Sequence, residues 1–238
     1  MIFFTGIQNI SHASKVDYSF ISVNRLTGVR KRKSDFVART WIMDSGAFSQ
    51  VSKCGDHLLT AGEYAEQINR WSRCGILVRA VAQDYMCEDF ILEKLGRTVE
   101  EHQEMKDCEV PIMPVLQGYD PEEYAKHVRD YGSLLKQNAW VGVGSICKRN
   151  SNPESIIDVL NAILEIRPDL RLHGFGIKKT CLQDSAIRDR LFSADSMSWI
   201  YDLWKANQKN YELSGALKFK NRIETMSVQT NFFDCRMT

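Results

Sequence analysis

Residues 140–176, WVGVGSICKRNSNPESIIDVLNAILEIRPDLRLHGFG, hold two short apolar runs with a capped amphipathic stretch between them. Trp140–Val143 shows no polar alternation, as expected of a parallel strand buried on both faces. Asn152-Pro153-Glu154 supplies an N-cap, a proline in the first turn and an acid near the positive helix end. The helix it opens, Ser155–Ile166, is stopped by Pro168, and the second strand, Leu170–Phe175, comes next. Strand, helix and strand at this spacing predict one right-handed βαβ unit.

The same alternation extends in both directions, from about residue 40 to residue 205. Trp41–Met43, Ile76–Ala82, Ile112–Leu116 and a shorter Leu191–Ala194 read as further strands. Ala61–Cys74 reads as a helix, with Tyr64, Ile68 and Trp71 on one face. Leu95–Cys108 and Pro121–Leu135 are the other helices, the latter with Glu122 and Glu123 in its first turn. Residues 1–6 add a first buried strand, giving about seven. The expected architecture is α/β, a TIM-like (β/α)8 barrel formed as a single domain over residues 1–238. The remaining strand is sought in Val16–Val29 or near Ala216–Phe219. A doubly wound open sheet is the alternative, but no Gly-x-Gly-x-x-Gly turn follows the first strand.

Composition narrows the functional classes. The 238 residues are 44% hydrophobic and 26% charged, within the range of about 200–250 residues usual for one barrel. A net charge of +1 exerts no global pull on a polyanion, so any nucleic-acid site must come from local clusters. No apolar run reaches the roughly 18–20 residues of a membrane span, and the N-terminus lacks the pattern of a secretory signal. Seven cysteines with no Cys-x-x-Cys pair offer neither a zinc nor a redox motif, and are expected as reduced thiols in a cytoplasmic protein. No metal site is expected.

The residues just after each strand carry the chemistry. Asp44-Ser45-Gly46 follows Trp41–Met43; Gln83-Asp84-Tyr85 ends the Ile76–Ala82 run; Gln117-Gly118 follows Leu116. Gly144-Ser145 follows Val143, His173-Gly174-Phe175-Gly176 closes the Leu170 strand, and Asp195-Ser196 follows Ala194. In parallel α/β folds these strand ends share one face, and that face holds the active site. Carboxylates, an amide and glycines gathered there suit a flat heterocycle with several donors and acceptors. Each residue also has a plainer reading. Asp44 and Asp195 fit N-caps, Gln117 fits a partner for loop backbone, Gly176 fits a turn, and His173 fits a hydrogen-bonded core histidine. Independent caps, however, need not fall at the ends of successive strands.

In order and spacing, these segments resemble the motifs of tRNA-guanine transglycosylases and of the related phage and bacterial enzymes that insert 7-deazaguanines into DNA. The resemblance covers most of residues 40–200. It implies that Asp44 in Met43-Asp44-Ser45-Gly46-Ala47-Phe48-Ser49-Gln50 reads the base and transfers protons, with Ser45 beside it and Phe48 stacking on the base. It makes Asp84 a second base-reading aspartate and Gln117 a base contact. Gly144 and Ser145 stand where the family uses a Gly-Gly backbone contact. His173 and Gly174 stand where its Met-Gly covers the other face of the base. Asp195 stands at the nucleophile. The implied reaction exchanges guanine for a 7-deazaguanine through an aspartyl-glycosyl intermediate with retained configuration, and calls for no metal or redox cofactor. The implied partners are DNA, or tRNA, and a free 7-deazaguanine base.

Two departures favour DNA over tRNA. After Asp195 there is only Cys235 and no histidine, so the zinc subdomain of the tRNA enzymes is not expected, and the chain is much shorter than theirs. A third, His173 in place of methionine, bears on which deazapurine is accepted. Arg30-Lys31-Arg32-Lys33, Lys148-Arg149, Lys178-Lys179 and Lys218–Arg222 are local basic clusters. Of these, Lys148, Arg149, Lys178 and Lys179 directly follow rim segments and are the candidates for gripping a phosphate backbone. The competing classes are a two-carboxylate glycoside hydrolase using Asp44 and Asp195, and a non-catalytic module that binds deazapurines or nucleic acid.

Overall fold

The computed structural model describes residues 1–28, 36–85, 109–205, 207 and 212–234. The expected helix at residues 95–108 and the basic cluster at residues 30–33 lie outside the described residues. Among the described residues nine parallel strands form one sheet: β1 (Ile2–Gly6), β2 (Tyr18–Ser22), β3 (Thr40–Asp44), β4 (Ile76–Val81), β5 (Ile112–Met113), β6 (Val115–Leu116), β7 (Trp140–Val143), β8 (Arg171–Gly174) and β9 (Ser193–Ser196). Their order is β5-β4-β3-β2-β1-β9-β8-β7-β6.

The two ends of that order are one stretch of chain. Pro114 has no N–H to give the ladder and splits the expected Ile112–Leu116 strand into β5 and β6. The first half pairs with β4, Val81 opposite Met113; the second pairs with β7, Val115 opposite Gly142. The Pro114 carbonyl still accepts the Gly142 amide at 2.8 Å. Eight staves therefore close into a barrel, as the sequence predicts. The strand left unplaced is β2, inside the first of the two intervals proposed for it; residues 216–219 belong instead to the helix Glu212–Asp234.

Local signals explain the helices. Thr60 and Glu63 form a reciprocal capping box at the start of Ala61–Trp71, whose Tyr64, Ile68 and Trp71 are buried. Asp120 caps Pro121–Tyr131 and Asn152 caps Pro153–Ile166, each with proline at the first helical position. The apolar faces of these helices cover the outside of the barrel. Ile156, Val159, Leu160 and Ile163 pack with Val141 and Leu172, while Phe36 meets Trp41 of β3 edge-on (5.2 Å between centroids) and lies tilted against Trp71 (5.8 Å). The C-terminal helix lays Phe219 on Phe3, 5.9 Å between rings. No helix among the described residues is long and apolar enough to cross a membrane.

Because every strand runs the same way, the ends carrying Asp44, Asp84, Gln117, Ser145, Gly174 and Asp195 share one rim.

Candidate active site

Asp195 sits in β9, and its side chain is not a helix cap. The Ser196 hydroxyl accepts the Ser198 amide at 3.2 Å, at the start of Ser198–Lys205. Asp195 Oδ1 instead accepts the Gly176 amide at 3.1 Å and lies 3.3 Å from His173 Nε2. Gly176 has φ of +61°, a left-handed conformation that turns its N–H toward the carboxylate. Asn150 holds this loop from the side. Its Nδ2 donates to the carbonyls of Cys147 (2.6 Å) and Gly176 (3.1 Å), and its Oδ1 accepts the Lys178 amide (2.8 Å).

Asp44 ends β3, opposite Ser22 of β2. Burial raises its pKa to about 6; the neighbouring Asp195 charge adds to the rise, while the Ser22 hydroxyl and the Gly46 amide oppose it. Its Oδ2 accepts the Gly46 N–H at 3.1 Å. The turn is braced from below: Asn24 Nδ2 donates to the Gly46 carbonyl (3.3 Å), and Gln50 Nε2 donates to Asn24 Oδ1 (2.6 Å). Gly46 has φ of +79°, and a Cβ there would fall 2.4 Å from Asn24 Nδ2, so glycine is required twice over. Ser45 is buried, and its hydroxyl has no partner among the described residues. Phe48, in the first turn of Ala47–Cys54, is 60% exposed, so its ring is open to a ligand.

Asp84 and Gln117 are brought together by barrel closure. Gln117, wholly buried, donates from Nε2 to Asp84 Oδ2 at 2.5 Å, and its backbone N–H donates to His127 Nδ1 at 2.9 Å. His57 Nε2 lies 3.0 Å from the Asp84 carbonyl, and Tyr85 donates its hydroxyl to Asp56 at 2.7 Å. Gly144 contributes space here. Its N–H bonds the Leu116 carbonyl and its C=O accepts the Tyr124 hydroxyl. A Cβ on Gly144 would lie 2.1 Å from Gln117 Nε2. We therefore expect Gly144→Ala to displace Gln117 and leave Asp84 without its amide. Loss of about 1–3 kcal/mol of buried polar pairing should lower the denaturant midpoint of unfolding, measured beside the unaltered protein. An unchanged midpoint would show that the Gln117–Asp84 pair contributes nothing to stability. Ser145 adopts φ of +55°, a conformation where glycine is unstrained.

The basic residues divide. Lys148 and Lys178 are exposed and Lys179 is partly so. Arg149 is engaged within the protein: its guanidinium donates to the Ser145 and Tyr119 carbonyls and lies 5.7 Å from the Tyr124 ring centroid. It braces the loops after β6 and β7.

His173 pairs opposite Ser193, two residues before Asp195. Its side chain is fully buried in the barrel, with its ring stacked on Phe20 (5.6 Å, 14°) and edge-on to Phe175 (4.8 Å, 62°). Gly174 likewise serves packing, since a Cβ there would lie 2.3 Å from Ile177 Cδ1. Asn24, His57 and Asn150 escaped the sequence reading. Small polar residues in loops carry no pattern that separates a brace from a solvated turn.

Among the described residues no three His, Cys, Asp or Glu side chains gather as a metal site. Cys54, Cys147 and Cys181 are thiols outside any disulfide. Comparison with curated proteins finds no match. The family model described as DpdA, DeoxyPurine in DNA protein A, matches residues 3–221, from β1 into the C-terminal helix. The barrel, with its carboxylate rim, belongs to a member of the DpdA family.

Proposed function

We propose that this chain exchanges guanine for a 7-deazaguanine base in DNA. The observation that carries the reading is the pairing of two unlike carboxyl groups on one rim. Asp195 is held by donors at one oxygen, and Asp44, with its pKa raised to about 6, lies close enough to feel the Asp195 charge. Pairs of carboxyls whose environments separate them in this way divide nucleophile from acid–base work. In the proposed first step an Asp195 oxygen bonds to C1′ as the C1′–N9 bond breaks, and guanine leaves with a proton from Asp44. In the second, N9 of the incoming base bonds to C1′, its proton returns to Asp44, and the aspartyl ester bond breaks. Two displacements retain configuration. Asp84, Gln117, Ser45 and the exposed Phe48 are the proposed contacts to the base, and membership of the DpdA family favours DNA as its carrier.

The test is incubation of the protein with labelled guanine or a 7-deazaguanine and duplex DNA, single-stranded DNA or tRNA, with mass spectrometry of the digested nucleosides. Label is expected in DNA. Label in tRNA alone would redirect the substrate, and label in none of the three, with folded protein, would sink the reading.

Lys148, Lys178 and Lys179 are the proposed backbone contacts, and Arg149 is left to its loop carbonyls. The variant Lys148→Ala/Lys178→Ala should reduce the slope of log K against log[salt] for DNA binding by roughly 2. Binding indifferent to salt in the unaltered protein would contradict the assignment.

A further inference from the structure

We propose that His173 is a positioning residue that fixes the attacking oxygen of Asp195, at the end of a hydrogen-bonded relay starting from Trp140 and Ser193. The proposal rests on the reading of Asp195 as nucleophile, and gives His173 a task that the family resemblance does not.

The relay has one consistent direction. Trp140 Nε1–H can only donate, and it lies 2.8 Å from Ser193 Oγ. Ser193 is wholly buried, and the other partner of its hydroxyl among the described residues is His173 Nδ1, at 2.8 Å. The Ser193 proton therefore goes to Nδ1. That leaves Nε2 of the neutral ring carrying its hydrogen, directed at Asp195 Oδ1 3.3 Å away. The chain thus runs Trp140 to Ser193 to His173 to Asp195, each member donating to the next. Register builds it: β8 and β9 pair His173 opposite Ser193, so Asp195 stands two residues further along the same face of β9.

The imidazole is also held mechanically. Phe20 stacks on it, Phe4 approaches at 6.1 Å and Phe175 meets it edge-on. Phe175 reaches that position because Gly142 has no side chain; a Cβ there would lie 2.3 Å from the Phe175 ring.

Both donors that Asp195 receives, from His173 and Gly176, fall on Oδ1. Oδ2 takes no hydrogen bond from any described residue. The arrangement fixes the carboxylate plane through one oxygen and leaves the other, with its lone pairs, to form the bond to C1′. Orientation of this kind governs the rate of displacement, because small misplacements of a nucleophile lower rates by about 100-fold.

The test compares guanine-for-guanine exchange on DNA in His173→Phe, Ser193→Ala and the double variant. His173→Phe should lower kcat about 100-fold, with the dissociation constant for guanine within about threefold of the parent. His173→Gln, which restores a donor, should recover part of the loss. Ser193→Ala should lower kcat less, and the double variant should be no slower than His173→Phe, since both act through one chain. Nitrogen-15 spectra of the histidines supply a readout independent of turnover. His173 should show a protonated Nε2 and a bare Nδ1, with the Nε2 signal shifted in Asp195→Ala.

A kcat within about threefold of the parent in His173→Phe would overturn the proposal. So would a loss confined to guanine affinity, strict additivity in the double variant, or an Nδ1-protonated ring. If His173→Phe does not fold, Ser193→Ala and the nitrogen signature decide the matter. Absence of exchange by the unaltered protein would count against the proposed function, and the nitrogen signature would then decide the relay alone.

Discussion

Asp195→Asn should lower base exchange by on the order of 10⁴-fold or more, the scale on which enzymes lose turnover when a covalent nucleophile is removed. The substitution is nearly isosteric, and an amide oxygen can still accept from the Gly176 N–H and from His173. It cannot supply the electron pair for a stable ester to C1′. The base contacts proposed at Asp84 and Gln117 lie on other strands, with their own hydrogen bonds. Affinity for the free base should therefore stay within a few-fold of the parent, read by calorimetry beside the exchange rate. This pattern separates the competing classes. A binding module would keep its whole function in Asp195→Asn, whereas a glycoside hydrolase would cleave aryl glycosides and exchange no base in the unaltered protein.

The second large effect is expected at Asp44. Asp44→Asn should slow exchange by roughly 10²–10⁴-fold, the usual contribution of a placed general acid or base. The pH dependence should divide between the half-reactions. With the Asp44 pKa at about 6, the acid form prevails below that pH, so release of guanine in a single turnover should fall as pH rises through 6. Capture of the incoming base needs the ionised form and should fall as pH drops below 6. Both dependences should vanish in Asp44→Asn.

The same carboxyl should have a cost in stability. Its pKa is raised on folding from 3.8 to about 6, so the native state binds more protons between those values, and stability falls as pH rises through that window. The deficit then persists at higher pH, at roughly 2–3 kcal/mol by the conversion of pKa shift to free energy. Asp44→Asn should melt at a higher temperature than the parent at pH 8, and the difference should close near pH 3. A variant slower in exchange yet more stable would identify Asp44 as a group held in its place for chemistry.

Much of this was legible from residue order. The βαβ unit at 140–176 announces itself because proline, asparagine and glutamate mark the helix start and the flanking runs are uniformly apolar. The rim is legible because polar residues interrupt only at strand ends. β2 was harder: Tyr18–Ser22 is short, and its polar residues at both ends and at Ser19 mask its apolar centre. The break at Pro114 was visible as a residue, but its consequence, one strand shared between two neighbours, belongs to barrel closure. The relay could not be read at all. Trp140, His173 and Ser193 are far apart in the chain and meet only because β7, β8 and β9 are adjacent staves. Residue order puts His173 at the rim, whereas registry places its ring beneath the carboxylate.

The proposed exchange turns on a covalent bond between DNA and Asp195, which can be trapped. The protein is incubated with guanine-containing DNA in the absence of an acceptor base, denatured, and its intact mass and peptides are measured. A DNA–protein adduct localised to Asp195 is expected, discharged when guanine or a 7-deazaguanine is added before denaturation. No adduct is expected in Asp195→Asn. Base exchange proceeding with no adduct, or an adduct that persists in Asp195→Asn, would contradict the proposed covalent bond.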